Sequence, residues 1–415
     1  MNGAGTEQSG RPPAVSRRRL LAGGALTVSG AVAGAGVTAG WRGNGSEGTA
    51  SAAPPGALGA ETVPFHGTHQ AGIDTPAQAH AAFVAFDLTA GVDRAALGRM
   101  MRLLSDDAAR LTQGQPALAD TEPELAALPA RLTVTFGFGP RLFTAAARDQ
   151  WRPASVAPLP AFAIDRLQDR WSGGDLLIQI CADDPMTVTH AQRMLVKDAR
   201  AFAKPRWTQR GFRNGRGMRD DGVTQRNVLG QLDGTRNPAL GTPVFDGAVW
   251  VDSGPEWLHA GSTVVIRRIR AEMETWDAVD VAGKEFAVGR TLATGAPLTG
   301  TRETDLPDYT ATNRHGLAVI SESSHIARAH VDDDRQRIFR RPYNYDEGPG
   351  PDGRSDMGLI FAAFQRDVGQ QFLPIQRNLA ELDLLNDWIT PIGSAVFAIP
   401  PGCQPGGWIG ETLLG

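Results

Sequence analysis

The sequence predicts an α+β fold assembled from two modules, on the strength of three observations. A chain of 415 residues is long for one hydrophobic core, which favours two domains or a fused pair of similar modules. Hydrophobic residues make up 41% of the chain, as is typical of a globular protein. Strand and helix patterns in the first half follow the order of a ferredoxin-like sheet covered on one face, and the second half roughly repeats that order.

Residues 1–52 are predicted to be a targeting segment and linker rather than part of the fold. Arg17, Arg18 and Arg19 precede a weakly hydrophobic run rich in Gly and Ala, and small residues near Ala50 offer a cleavage site. This pattern resembles a twin-arginine leader, which implies export of the folded protein to the periplasm, the cell envelope or the medium. A transmembrane anchor is the alternative, although glycines dilute the apolar run, and an uncleaved leader also stays open.

The first module is predicted over residues 63–225. Alternating or β-branched runs indicate strands, and apolar positions at helical spacing indicate helices. The predicted strands are 82–88, 132–138 and 175–181, and the predicted helices are 94–104 and 187–196. His190 is expected on the solvated side of the second helix. The basic stretch 197–219 is interpreted as a solvated loop in preference to a patch for an anionic partner.

The second module is predicted over residues 226–415. Its predicted strands are 263–270, 359–364 and 395–399, and its predicted helices are 273–281 and 368–385. The similar element order in the two halves suggests a duplication by pattern only.

Charge and cysteine content limit the classes of function. The formal net charge is −4 and no basic motif repeats with interleaved aromatic residues, so nucleic acid is set aside as a partner. Cys181 and Cys403 lie in strand-like segments without the C-x-x-C spacing of a zinc or redox site. Buried free thiols are the expected state, and export would permit a bridge if the two were close.

The segment 227–238, NVLGQLDGTRNP, contains the most informative local pattern. Asp233 stands close to Gly230 and Gly234, which let the backbone turn tightly and aim a carboxylate into a cavity. The alternative is an ordinary β-turn in which Asp and Gly supply only turn chemistry. Two later segments decide between these interpretations.

One of them is Ser324-His325-Ile326, and the other is IFRRPYNY at 338–345. Together with the glycine loop these segments resemble the dye-decolourising peroxidases, a haem family, and in particular their twin-arginine-exported deferrochelatase-like members. The resemblance extends through 132–143, 173–184, 295–298, 358–367 and 394–402, and so covers the chain from about Val63 onward. Pro342 stands where the family usually has Gly, and Ala327 interrupts the usual H-I-R.

The resemblance implies two ferredoxin-like modules that enclose a haem pocket, with one non-covalent haem b per chain. His325 becomes the proximal iron ligand, through one ring nitrogen, while the other nitrogen donates to an acceptor. Asp387 is the candidate for that acceptor, and His330 is the alternative ligand. The chain has no C-x-x-C-H motif, which agrees with a non-covalent haem.

The resemblance also assigns the peroxide side of the pocket. Asp233 is the implied acid–base group, and Arg340 supplies electrostatic support and stabilises the ionised carboxylate. The further residues implied to line the haem are Gly234, Thr235, Arg236, His330, Val331 and Asp332, with Leu359 and Phe361 as an apolar wall. Ordinary core packing would explain Leu359 and Phe361 equally well.

The implied function is that of an exported haem peroxidase that reduces hydrogen peroxide and oxidises dyes, phenols, metal ions or similar reductants. Trp388, Tyr343 and Tyr345 are candidate electron relays, although packing is the commoner role of aromatic residues. A second hypothesis is an exported deferrochelatase or metal-homeostasis protein, with a membrane-associated iron or copper uptake partner. A haem carrier without turnover and a haem-free binding protein also stay open, and a homo-oligomer is a further expectation.

Overall fold

The structure is a computed structural model that describes residues 58–220 and 222–415. The proposed leader therefore lies outside the described residues. In the described part the strands are β1 His80–Leu88, β2 Thr133–Phe138, β3 Leu176–Ala182, β4 Ala203–Phe212, β5 Ser262–Ala271, β6 Phe339–Arg340, β7 Tyr343–Pro349, β8 Ser355–Gln365 and β9 Ile389–Ile399. The α-helices are α1 Arg94–Thr112, α2 Pro140–Ala145, α3 Pro185–Ala199, α4 Pro243–Val249, α5 Met273–Asp277, α6 Val281–Val288, α7 His325–Arg328, α8 Leu373–Leu382 and α9 Glu411–Leu414.

Each half of the chain builds an antiparallel sheet with the same strand order. In the first half the order is β4-β1-β3-β2, with α1 and α3 between the strands in sequence. In the second half the order is β7-β8-β5-β9, with β6 beside β8 and with α8 between β8 and β9. This is the βαββαβ arrangement of a ferredoxin-like module in both halves, which confirms the predicted fold class.

The two sheets meet at both edges. Phe138 of β2 pairs with Ala398 of β9, and Phe212 of β4 pairs with Asn344 of β7. Between the sheets lies a shared core to which strands of both halves contribute, including Phe83, Leu177 and Phe397. The alternation of side chains along each strand therefore leaves the opposite face of each sheet to the helices.

The helices of the first half begin where the sequence offers capping residues. The side chains of Asp93 and Asp184 accept from backbone N–H groups in the first turns of α1 and α3. Both helices bury an apolar face in a second core against the first sheet.

Side chains in the second half also alternate between the two faces of the sheet, and those on the outer face line the candidate site. On β8, Ile360, Ala362 and Phe364 belong to the shared core. Leu359 and Phe361, which alternate with them along the strand, face the opposite side and line a cavity. The predicted apolar wall is therefore formed by outward-facing side chains of β8.

Several sequence predictions need correction. His190 is only 3% exposed rather than solvated, because its Nε2 contacts the buried Asp120 carboxylate at 2.8 Å. Residues 203–212 form β4 rather than a solvated loop, since they pair with β1 along its length. The predicted helix 368–385 is divided into a π-helical turn, Val368–Phe372, followed by α8 and a 3-10 turn, Leu384–Asp387. The predicted helix 273–281 ends at Asp277.

Cys181 and Cys403 are buried free thiols, as expected. Across residues 58–220 and 222–415, every helix is too short or too polar to cross a bilayer.

Candidate functional site

A cavity with two adjoining lobes lies on the outer face of the second sheet. The larger lobe has a volume of about 460 Å³ and the smaller, inner lobe about 130 Å³. Asp233, His325 and Arg340 line both lobes, so the fold brings together the three residues that the sequence singled out. The larger lobe falls within the roughly 300–1,000 Å³ typical of cofactor sites.

The glycine loop presents Asp233 to this cavity. Gly230 and Gly234 have φ values of +81° and +129°, which side chains larger than that of glycine rarely tolerate. The Asn227 carboxamide oxygen accepts from the backbone N–H groups of Leu229 and Gln231 and holds the turn. The interpretation of Asp233 as a mere turn residue is therefore insufficient, because neighbouring groups make the turn while its carboxylate lines the cavity.

Arg340 is fixed against the same loop by two kinds of contact. Its guanidinium Nη1 donates to Asp233 Oδ1 at 2.9 Å, in a pair whose side chains are 24% and 12% exposed. Its backbone N–H donates to Asn237 Oδ1, and Asn237 Nδ2 donates to its carbonyl at 2.7 Å. Asn237 was not among the predicted site residues, although it closes the loop motif in the sequence.

His325 is the first residue of α7, and Asp383 orients its ring. His325 Nδ1 lies 2.7 Å from Asp383 Oδ2, so Nε2 is the ring nitrogen left to bind a metal. Asp383 is 4% exposed, and its Oδ1 accepts from the backbone N–H of Leu385. The prediction of Asp387 as the acceptor is wrong: Asp387 is exposed, at the end of the following 3-10 turn.

Charge around His325 favours the electron-rich imidazole that a ligand needs. Burial opposes protonation of the ring, but the attraction and hydrogen bond of Asp383 outweigh it and raise the pKa of His325 above its usual value. Asp383 thus does for His325 what a carboxylate partner does for metal-bound histidines: it fixes the tautomer and increases basicity.

The larger lobe has a cationic wall. Arg236, Arg290 and Arg337 line it, together with Tyr309. Burial lowers the pKa of Arg290 and raises that of Tyr309. Arg290 Nη1 donates to the carbonyl oxygens of Gly295 and Glu303, which are neutral acceptors and leave its positive charge available to an anionic ligand. Arg290, Arg337 and Tyr309 were missed in the sequence because no local motif marks residues so far apart.

The remaining residues that were predicted to line the haem pocket lie around the larger lobe. Gly234, Thr235, Arg236, His330, Val331 and Asp332 all line it. His330 is held at the rim, where Nε2 contacts Asp332 Oδ1 at 3.0 Å and the ring lies 4.9 Å from that of Tyr309. Its side chain is 37% exposed. These positions favour His325, the more enclosed histidine with the buried carboxylate, as the ligand.

The three candidate relay residues occupy different environments. Tyr343 and Tyr345 are fully buried in the core between the sheets. Trp388 packs edge-on against Trp276, with ring centroids 5.3 Å apart. Packing explains all three positions, and their electron-relay role stays a prediction.

The residues present suit a haem. A largely apolar slot contains one histidine with a ring nitrogen available, and Leu359, Phe361, Ile375 and Leu379 provide its apolar surface. The cationic wall of the larger lobe suits the propionate groups of a haem, because guanidinium groups pair readily with carboxylates, and Arg290 in this wall is buried. The cavity fits a haem because of the histidine nitrogen and guanidinium groups that it offers and because one lobe is apolar and the other cationic.

Comparison with known proteins agrees with this chemistry. Residues 70–213 match the Dyp-type peroxidase N-terminal domain, and residues 224–404 match the Dyp-type peroxidase C-terminal domain. A dye-decolorizing peroxidase from Thermobifida fusca is 38% identical over 359 residues, or 83% of each chain. A deferrochelatase from Escherichia coli is 36% identical over 420 residues, covering 96% of this chain and 97% of that one.

Solved structures show the same similarity. A DyP-type peroxidase from Cellulomonas bogoriensis superposes with a TM-score of 0.84 at 48% identity, over 86% of this chain and 99% of that one. Ferric DtpA from Streptomyces lividans gives a TM-score of 0.83 at 39% identity, over 88% of this chain and the whole of that one. Two matching domains that together span most of the chain, and relatives above 30% identity over most of its length, show that this chain belongs to the Dyp-type peroxidase family and is a haem peroxidase.

Proposed function

We propose that the chain binds one haem b per molecule, non-covalently, in the two-lobed cavity, with His325 Nε2 as the protein's ligand to iron. When bound, the cofactor supplies the redox chemistry for reducing hydrogen peroxide with electrons from an organic or metal-ion reductant. The observation that carries the proposal is the convergence of two pairs on one cavity: His325 with Asp383, and Asp233 with Arg340. The two modules would divide near residue 226.

Asp233 is positioned to move the proton of a peroxide substrate. Its Oδ1 accepts from Arg340, whereas Oδ2 makes a long contact of 3.5 Å with Asn227 Nδ2. Oδ2 is therefore the oxygen that takes a proton from one peroxide oxygen and returns it to the second. A carboxylate whose orientation is fixed in this way performs acid–base catalysis without a large rearrangement.

Arg340 has two tasks in this scheme. Its guanidinium holds Asp233 in place, and its positive charge stabilises negative charge that develops on the peroxide as the O–O bond breaks. The double contact between its backbone and Asn237 keeps the guanidinium at the cavity. This fixed position matters because a charged donor stabilises developing charge best when it is preorganised.

A spectrum of the purified protein tests the proposal. We expect an intense Soret band that requires haem in the growth medium or in reconstitution. Oxidation of an anthraquinone dye should depend on both haem and hydrogen peroxide. Pyridine extraction should yield one haem b per chain. A protein that takes up no haem, or haem-loaded protein that oxidises no dye or phenol with peroxide, would contradict the proposal.

A second candidate function is suggested by the deferrochelatase relative, which is similar over 96% of this chain. In that case haem would leave as iron-free porphyrin under reducing conditions, and porphyrin fluorescence would report it. A membrane-associated iron or copper uptake partner and a homo-oligomer belong to this scheme as further proposals. If porphyrin fluorescence does not rise above that of intact haem, the deferrochelatase role is contradicted and only the peroxidase role remains.

We also propose export through the twin-arginine pathway, because Arg17, Arg18 and Arg19 precede the weakly hydrophobic run. Replacing the three arginines together by lysine should trap folded protein in the cytoplasm, since that pathway requires the arginine pair. Immunoblots of cell fractions measure the distribution. N-terminal sequencing of exported protein should find a first residue between about Ala50 and Pro55. Normal export of the triple variant would count against this route.

A further inference from the structure

The chain between Trp151 and Trp171 crosses from the first sheet to the outer face of the second. It pairs there with the backbone of β9: the N–H of Arg166 donates to Pro391 at 2.9 Å, and the N–H of Gln168 donates to Ile392 at 2.8 Å. Residues 159–168, here called the strap, therefore lie beside the inner lobe of the cavity, which Pro391 also lines.

Apolar side chains of the strap complete the inner lobe. Ile164 lines the lobe directly. Leu159 packs against the small core of Val265, Phe372 and their neighbours, which also contacts the lobe residues Ile338 and Phe361. The strap thus runs over the surface of the protein, while its inward-facing side chains form a wall of the lobe.

One ion pair holds the strap to the sheet. The guanidinium of Arg267, on β5, donates through both terminal nitrogens to the carboxylate of Asp165, with an Nη1–Oδ2 distance of 3.2 Å. The side chains are 1% and 7% exposed, and the ring of Phe162 lies over the guanidinium. Arg267 itself lines the inner lobe.

A charged pair is unexpected in these apolar surroundings. Its neighbours along β5 on the same face, Val265 and Ile269, are apolar, and both charges lose hydration on burial. Replacing a buried pair by apolar residues is often neutral, whereas removing one partner leaves an uncompensated charge. The pair therefore ties the closed position of the strap to the presence of both charges.

We propose that the strap closes the inner lobe over the bound cofactor, and that the Arg267–Asp165 pair is the latch that sets how fast haem is lost. The inference rests on the proposed haem site. Opening the strap uncovers the apolar edge of the slot and admits water to it. Without the latch, the strap keeps only the backbone hydrogen bonds of Arg166 and Gln168 and the apolar contacts of Leu159 and Ile164.

The neighbouring residue on β5 provides a matched control. Arg268 is also buried, at 2% exposed, and pairs with Asp356 at 3.0 Å, but it faces the core side, against Tyr345 and Trp171. Asp356→Asn therefore removes one carboxylate partner from a buried arginine of β5 away from the cavity, while Arg268 keeps its contacts with Gln209 and, at 3.8 Å, with Glu347. It reports the effect of general destabilisation on haem loss.

The test is the rate of haem transfer from the full haem-loaded protein to excess apomyoglobin. We expect Asp165→Asn to accelerate loss by about tenfold or more, because an unpaired buried guanidinium favours the open strap. Asp356→Asn should stay close to the wild-type rate. Hydrogen exchange should show faster exchange of the Arg166 and Gln168 amides in Asp165→Asn alone.

An unchanged rate in Asp165→Asn, or equal acceleration in both variants, would overturn the latch. If Asp165→Asn does not fold, Arg267→Lys gives the decision, since it keeps the buried positive charge but loses the contact of two guanidinium nitrogens with Asp165. It should accelerate haem loss, and an unchanged rate would likewise overturn the proposal. A wild-type protein that binds no haem refutes the proposed function instead, which keeps the two failures distinct.

Discussion

In the His325→Ala protein we expect most of the haem to be lost, with the remainder in a weakly ligated form. The imidazole is the protein's proposed bond to iron, and the buried carboxylate of Asp383 holds it in the ligating tautomer. The measurement is the Soret absorbance per mole of purified protein after haem reconstitution. Apolar contacts in the inner lobe and the cationic wall would retain the remaining fraction.

Two further variants make this result specific. His330→Ala should retain normal haem content, because His330 lies at the rim and pairs with the exposed Asp332. The haem content of Asp383→Asn should lie between those of His325→Ala and His330→Ala, since loss of such a carboxylate partner typically costs about 10–100-fold in metal affinity. If His330→Ala loses haem and His325→Ala retains it, the ligand has been misassigned.

The second large effect concerns peroxide reduction. Asp233→Asn should preserve haem binding but slow peroxide-dependent turnover by about 10²–10⁴-fold, the range for a positioned acid–base group. Arg340→Leu should slow turnover at least as much, because it removes charge stabilisation and also releases Asp233 from its 2.9 Å contact. It should also lower haem retention. Rapid mixing of haem-loaded protein with hydrogen peroxide measures the first step directly.

Asp332→Asn is a suitable control for both variants. Asp332 also lines the larger lobe, but its carboxylate pairs with His330 and its side chain is 99% exposed. A normal rate is expected because an exposed carboxylate at the rim is not held against the peroxide. Should Asp233→Asn and Arg340→Leu both react at the wild-type rate, the assignment of the peroxide side fails and Asp233 returns to being a turn residue.

Much of the candidate site could be predicted from local sequence. Gly230 and Gly234 mark a tight loop because their φ values are positive, and that requirement is visible in the residue type. The continuous apolar run at residues 359–364 likewise predicted a buried strand, which the structure confirms within β8. Asp233, His325 and Arg340 belong to short segments whose resemblance to one family was specific enough to name them together.

Two of the predictions that failed concerned contacts between distant segments. Asp387 was the predicted acceptor for His325, yet among the residues that the structure describes it is Asp383 that contacts the His325 ring. The 3-10 turn after α8 places Asp383 inward and leaves Asp387 exposed. The prediction for His190 failed for the same reason. Its buried partner, Asp120, lies 70 residues away, and no helical pattern reveals that contact.

The sequence by itself thus determined most of the strands and helices and the tight glycine loop, because backbone preference and side-chain alternation are local properties. The resemblance of three short segments to one family named the three central residues. Only the tertiary structure decided that Asp383 orients His325, that Arg236, Arg290 and Arg337 form one cationic wall, and that a strap from the first half closes the inner lobe. Those features depend on free energy gained when segments far apart in the chain are buried against one another, and that gain has no signature in any single stretch of sequence.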